Sequence, residues 1–144
     1  MLAPTRFATQ RRRAAATVEF ALVAPLLFLT FFAAVEFSRA NMVRHTVDIA
    51  AYEGARQGII PGATADDVRN RVNQIMAQLA IRNTTVTVTP ANIDRNTDRN
   101  TDRVTVNVVT PMQGNGFITG LFMNSAQLSA ESTLCREGFT SPSS

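Results

Sequence analysis

The hydrophobic positions of this 144-residue chain fall into three regimes. Residues 20–35 form an apolar run broken only by Thr30, with a carboxylate at each end, Glu19 and Glu36. Beyond it Ala40, Val43, Val47, Ala50, Ala51 and Gly54 recur at intervals of three and four. That spacing predicts that the helix continues, with a narrow stripe of small and β-branched side chains suited to close packing against another helix. Arg44, His45, Asp48 and Arg56 fall off the stripe, and Gly58-Ile59-Ile60-Pro61-Gly62 ends it with helix breakers. Thr64 opens a second helix over about 65–80, with Asp66 and Asp67 in the first turn, where negative charge complements the helix dipole. Val68, Val72, Ile75, Met76 and Leu79 mark its apolar face. From residue 84 the period drops to two. Residues 84–89, 103–109 and 126–135 alternate and predict three strands, the last with Leu128, Ala130, Ser132 and Leu134 on one face. The fold class expected is α+β: a long N-terminal transmembrane helix, then a small domain of one amphipathic helix on a three-stranded antiparallel sheet.

Length decides how the apolar run is used. Sixteen residues make about 24 Å of helix, short of the roughly 30 Å hydrocarbon core of a bilayer, whereas extension back to Ala14 gives about 33 Å. The longer span encloses Glu19, and a charge inside a span costs roughly 2.5–3.5 kcal/mol on insertion scales, so the acid calls for a partner or a function. A continuous helix over 15–57 would reach about 65 Å. A chain this small does not bury such a rod by itself, so either partners cover it or a joint near Phe37 folds it back.

Charge sets the orientation. Arg6, Arg11, Arg12 and Arg13 precede the run with no acid among them, while ten Arg stand against nine acids after Phe37. By the positive-inside rule the N-terminal side stays in the cytoplasm and the remainder crosses, a single pass of the bacterial inner membrane with a periplasmic or extracellular C-terminal domain. The net charge of +3 thus resides mostly in the leader, which removes the case for nucleic-acid binding.

Three ordinary N-terminal devices fit incompletely. A cleaved secretory signal could use Ser38-Arg39-Ala40, but its apolar core is long and Glu36 and Arg39 precede the cut. Twin-arginine export lacks the flanking residues. An uncleaved signal anchor explains length and charge bias and leaves Glu19 without a role.

The segment Arg13-Ala14-Ala15-Ala16-Thr17-Val18-Glu19-Phe20-Ala21-Leu22-Val23-Ala24-Pro25-Leu26-Leu27 resembles the start of the TadE-like family, minor pilins or pseudopilins of the Tad tight-adherence pilus. Ala51-Tyr52-Glu53-Gly54-Ala55-Arg56 resembles the stretch that follows the membrane helix in that family, and Pro25 and Glu36-Phe37 also fit its pattern. The likeness covers about 13–58, and two separated blocks are harder to match by chance than one. It implies a precursor cut by a prepilin peptidase between Ala14 and Ala15, with Glu19 as fifth residue of the mature chain. The family most often has Gly where this chain has Ala14. The partners implied are the peptidase, other pilin and minor pilin subunits, the Tad inner-membrane assembly machinery and membrane lipid.

On a helix Glu19 lies one turn from Ala15, so it can neutralise the new amine of its own chain or of a neighbouring subunit; the alternative is an acid solvated at headgroup level. Pro25 in a membrane helix makes a kink or a loosened turn, with or without a role in leaving the bilayer. The domain division expected is a basic leader over 1–14, the pilin-like helix over 15–60, the exported domain over 61–138 and a disordered tail over 139–144.

Nothing in the sequence points to catalysis, and no cofactor or metal is expected. The repeat Asp94-Arg95-Asn96-Thr97-Asp98-Arg99-Asn100-Thr101 superficially resembles a calcium loop, but it has Arg99 where glycine is needed and Thr105 where glutamate is needed, and reads as a solvated hairpin tip. Gly114-Asn115-Gly116 and Gly120 read as a mobile loop beside Phe117, Ile118, Leu121, Phe122 and Met123, which are core residues or a patch for a partner subunit. His45 reads as a polar-face residue. Cys135, the lone cysteine, has no intrachain partner and is either buried in its strand, the favoured reading, or an intermolecular link in an oxidising compartment. The function expected is a minor pilin or pseudopilin acting in pilus assembly and surface adhesion; the alternative is a signal-anchored periplasmic binding or sensor domain with an uncleaved N-terminus.

Overall fold

The computed structural model describes residues 6–91, 93, 103–117, 123 and 125–135, with side chains from residue 14 onward. The tandem repeat before Arg103, together with Ile118, Gly120, Leu121, Phe122 and the tail, lies outside the described residues.

One helix, α1 (Arg6–Gly58), runs unbroken for 53 residues, about 80 Å. Ala, Arg, Phe and Val are its commonest residues, Pro25 is accommodated within it, and no joint interrupts it at Phe37. The chain then turns through Gly62, whose φ of 87° is a left-handed conformation that glycine adopts without strain. Helix α2 (Ala65–Gln78) begins at Thr64 with a reciprocal capping box. The Asp67 N–H donates to Thr64 Oγ1 at 3.2 Å, and the Thr64 N–H donates to Asp67 Oδ2 at 2.9 Å.

These bonds, the backbone donor of Thr64 first and its hydroxyl second, hold the Asp67 carboxyl below its ordinary value of 3.8. A depressed folded pKa means that protons favour the unfolded chain. The contribution is therefore complete above 3.8 and is lost as pH falls through the lowered folded value. Thermal melts should show wild type above Asp67→Asn at neutral pH, with the gap closing once the pH drops below 3.8. A gap that widens in acid would contradict the assignment.

Three antiparallel strands, β1 (Thr85–Thr89), β2 (Arg103–Pro111) and β3 (Gln127–Cys135), form a sheet in the order β1-β2-β3. Pairings such as Val86 with Val108 and Val108 with Ala130 carry one apolar face across it. On the other face Thr105 and Thr133 share a 2.8 Å hydrogen bond, and Asn107 Nδ2 donates to Glu131 Oε2 at 3.3 Å. The α+β architecture predicted from the periodicity is thus the one observed.

The helix stripe is covered from within the chain. Val43, Val47, Ala50, Ala51 and Ala55 of α1 are buried together with Val68, Val72 and Met76 of α2 and Val104, Val106 and Val108 of β2. The last third of α1 is therefore the central element of the head, and only the portion before it stays bare. Cys135 corrects the expectation of burial: it is exposed. In β3 the even positions face the core, so 135 falls on the outer side with Thr133 and Glu131, and strand period overrides the general preference of cysteine for the interior.

Candidate functional site

The stalk is the first part of the site. Phe20, Leu22, Leu26, Leu27, Phe28 and Phe31 are each at least 60% exposed, an apolar surface too large for an isolated water-soluble rod. One described helix is long and apolar enough to cross a membrane; its best window has a mean hydropathy of 2.2 and none of it is buried by the head. Thr30 Oγ1 donates to the Leu27 carbonyl at 2.9 Å, so the one hydroxyl of the run is satisfied by the helix itself, as a bilayer requires. Pro25 sits mid-run without an N–H, leaving the Ala21 carbonyl without its usual helical donor. Ala14, Ala15 and Glu19 lie exposed on α1, and among the described residues Glu19 forms no ion pair. The four-residue spacing places Ala15 and Glu19 on one face.

A polar collar joins stalk to head. Glu36, one residue past the run, is only 3% exposed, and its Oε2 accepts the Phe117 N–H at 3.2 Å. A Cβ on Gly116 would run into the Glu36 carboxylate where it now sits, so a side chain there would displace the acid. One turn on, Arg39 Nε donates to the Asn115 carbonyl at 3.0 Å and Nη2 to the Leu79 carbonyl at 2.9 Å, while its guanidinium lies 5.4 Å from the centre of the Phe117 ring. Asn115 is itself buried. Its Nδ2 donates to the carbonyls of Arg82 and Pro111 at 2.9 and 2.7 Å, and its Oδ1 accepts the Arg82 N–H at 2.8 Å. The segment that reads as a mobile glycine loop is thus fastened to α1, to the end of α2 and to the entry of β1. Asn115→Ala strands several buried backbone groups and should cost about 3 kcal/mol, measured by chemical denaturation. A loss under about 0.5 kcal/mol, typical of a neutral surface change, would mean the loop is not held this way.

The Glu53-Gly54-Ala55-Arg56 block divides by side. Glu53 reaches Arg71 of α2 at 3.1 Å and Arg56 at 3.7 Å, and these three line a shallow polar groove with Asp67 and Gln74. Gly54 and Ala55 turn inward: Ala55 has no exposed surface, and a Cβ on Gly54 would lie 2.7 Å from Val72 Cγ2. Partly exposed ion pairs contribute little, so the value of the block lies mainly in the close approach of α1, α2 and β2.

The sequence marks the apolar helix, but it shows Glu36 only as a flanking charge and does not reveal the collar. The partners of Glu36 stand 81 residues away, and the only local sign was an acid placed directly after an apolar run. His45 is exposed, as its place off the stripe implies. Among the described residues no group of three His, Cys, Asp or Glu could hold a metal.

Among the described residues, fold and site together define a protein with one long apolar helix, bare along one part and built into a small α+β head along the rest. Residues 14–56 match the model of the family described as TadE-like protein, the family the two motif blocks resemble. The one described helix apolar and long enough to span fits membrane anchoring. No curated protein and no solved structure matches the chain.

Proposed function

We propose that the protein is a minor pilin or pseudopilin of the Tad pilus, anchored in the inner membrane by residues 15–35 with its head on the periplasmic side, and that it acts in pilus assembly and thereby in surface adhesion. The observation that carries this reading is the bare apolar stalk that passes directly into the core of the head within the segment matched to the family. Residues 1–14 are then a leader, and a prepilin peptidase cuts between Ala14 and Ala15. Glu19 neutralises the amine so created, in its own chain or in a neighbouring subunit, which removes the cost of an isolated charge in the bilayer. Other pilin subunits and the inner-membrane assembly machinery are the partners. Cleavage after Ala40 is disfavoured because it would detach Glu36 and Arg39 from the head they fasten.

N-terminal sequencing of the membrane-fraction protein tests the processing step. Ala15 is the expected first residue; Met1, in cells with an active prepilin peptidase, would defeat it and favour the anchored sensor, and Asn41 would favour a secreted domain. Glu19→Ala is expected to leave membrane insertion intact and to bring pilus assembly to background. Normal piliation with that variant would remove the role assigned to the acid.

A further inference from the structure

Outside the apolar run, the two most exposed large apolar side chains among the described residues are Phe117, at 70%, and Phe37, at 66%. They come from elements far apart in sequence, yet both stand at the same height on the molecule. Phe37 is the second residue past the run. Phe117 is level with the turn from Glu36 to Arg39, because its N–H is bonded to Glu36 and its ring lies against Arg39. Along the helix axis that turn spans about 1.5–6 Å beyond Val35. The headgroup layer on each side of a bilayer is about 5–8 Å thick. With the stalk spanning to Val35, the Phe117 ring therefore falls inside that layer, where interfacial segments bury Trp, Phe and Leu at the boundary of headgroups and acyl chains.

We propose that the loop segment at Phe117 is a second membrane contact, a foot that seats in the headgroup layer of the leaflet the stalk leaves, at the level of Phe37 on another side of α1. The inference rests on the anchored reading above and adds to it that the head is held against the bilayer surface. The exposure of Phe117 does not come from a loose loop. Its backbone is bonded to a buried acid, and Asn115, two residues earlier, is buried with three side-chain hydrogen bonds. A ring fixed at this height stands just above the level of the exposed apolar side chains of the run, and lipid is the occupant that meets both.

The chain contains no tryptophan, so a single introduced one reports without background. Full-length Phe117→Trp, Tyr52→Trp and Leu26→Trp proteins would each be reconstituted in phosphatidylethanolamine–phosphatidylglycerol vesicles, with and without brominated acyl chains. The exposed Tyr52 lies about 20 Å further along α1 than Phe37, clear of the bilayer. Phe117→Trp should emit to the blue of Tyr52→Trp and be quenched by the brominated lipid several-fold more strongly, though less than Leu26→Trp. Emission and quenching equal to those of Tyr52→Trp, with Leu26→Trp quenched, would overturn the foot and leave the anchor standing. A blue shift without lipid quenching would mean that a second copy covers the ring, and overturns it as well. If Leu26→Trp itself escapes quenching, the anchor fails and the foot with it.

Discussion

Gly54→Leu is expected to abolish cooperative folding of the head. Even the first carbon of a side chain at this position would stand 2.7 Å from Val72 Cγ2 and 3.3 Å from Val106 Cγ1. Both neighbours are themselves fully buried, branched at Cβ and hemmed in by α2 and the sheet, so neither can swing away into solvent. Overfilling a packed core costs typically about 1–3 kcal/mol per misfit group, and leucine adds four carbons where not one fits. Against the roughly 5–15 kcal/mol that holds a natural domain together, a loss of more than about 3 kcal/mol in a head this small leaves little folded population. Gly54→Ala is the graded control. It gains about 1 kcal/mol of helix propensity but suffers the two close contacts of its one added carbon, so it should fall between wild type and Gly54→Leu. The exposed neighbour Tyr52→Leu should sit within about 0.5 kcal/mol of wild type. Circular dichroism through a denaturant series reads all three; a sharp transition for Gly54→Leu near the wild-type midpoint would show that α1 does not approach α2 as described.

Leu26→Arg should release most of the protein from the membrane. Leu26 is near the midpoint of residues 15–35 and is 63% exposed on the stalk, with no polar partner for an arginine within the run except the satisfied Thr30 hydroxyl. Exchanging a favourable leucine for arginine at the centre of a span shifts insertion by about 3–4 kcal/mol, or two to three powers of ten in partition. Because the apolar run is barely long enough to span, it has little surplus to absorb that change. The same charge in Tyr52→Arg, on the exposed side of the head portion of α1, should not alter retention. The fraction surviving an alkaline wash of the membranes measures this, and equal retention of Leu26→Arg would argue that the stalk does not lie in lipid.

Local spacing made most of the architecture legible. Helix α2 follows from five apolar residues on one face and a Thr64–Asp67 cap, and the strands follow from Thr-Val alternation, since both signals are read within a single element. β2 runs two residues past its expected end at Val109 because pairing with β3 continues to Pro111, which is information held by the partner strand. Contacts between distant segments were not legible. The stripe on α1 announced close packing but did not say that α2 and β2 of the same chain provide it, and the burial of Glu36 depends on a glycine that only the folded chain brings beside it. Cys135 is instructive in the other direction: the alternation that placed Leu134 inward already placed its neighbour outward, and period was the better guide than residue type.

The unbroken course of α1 also has a mechanical meaning. With no hinge between bilayer and head, a twist or a pull applied at one end arrives undiminished at the other. A force drawing the head away from the membrane would load the seam where Gly54 and Gly58 let α1 approach Val72 and Val104, shearing the rod along the sheet. The yield strength of that seam, set by interlocked small side chains, would then limit how much tension the subunit can transmit before the head is stripped from its shaft.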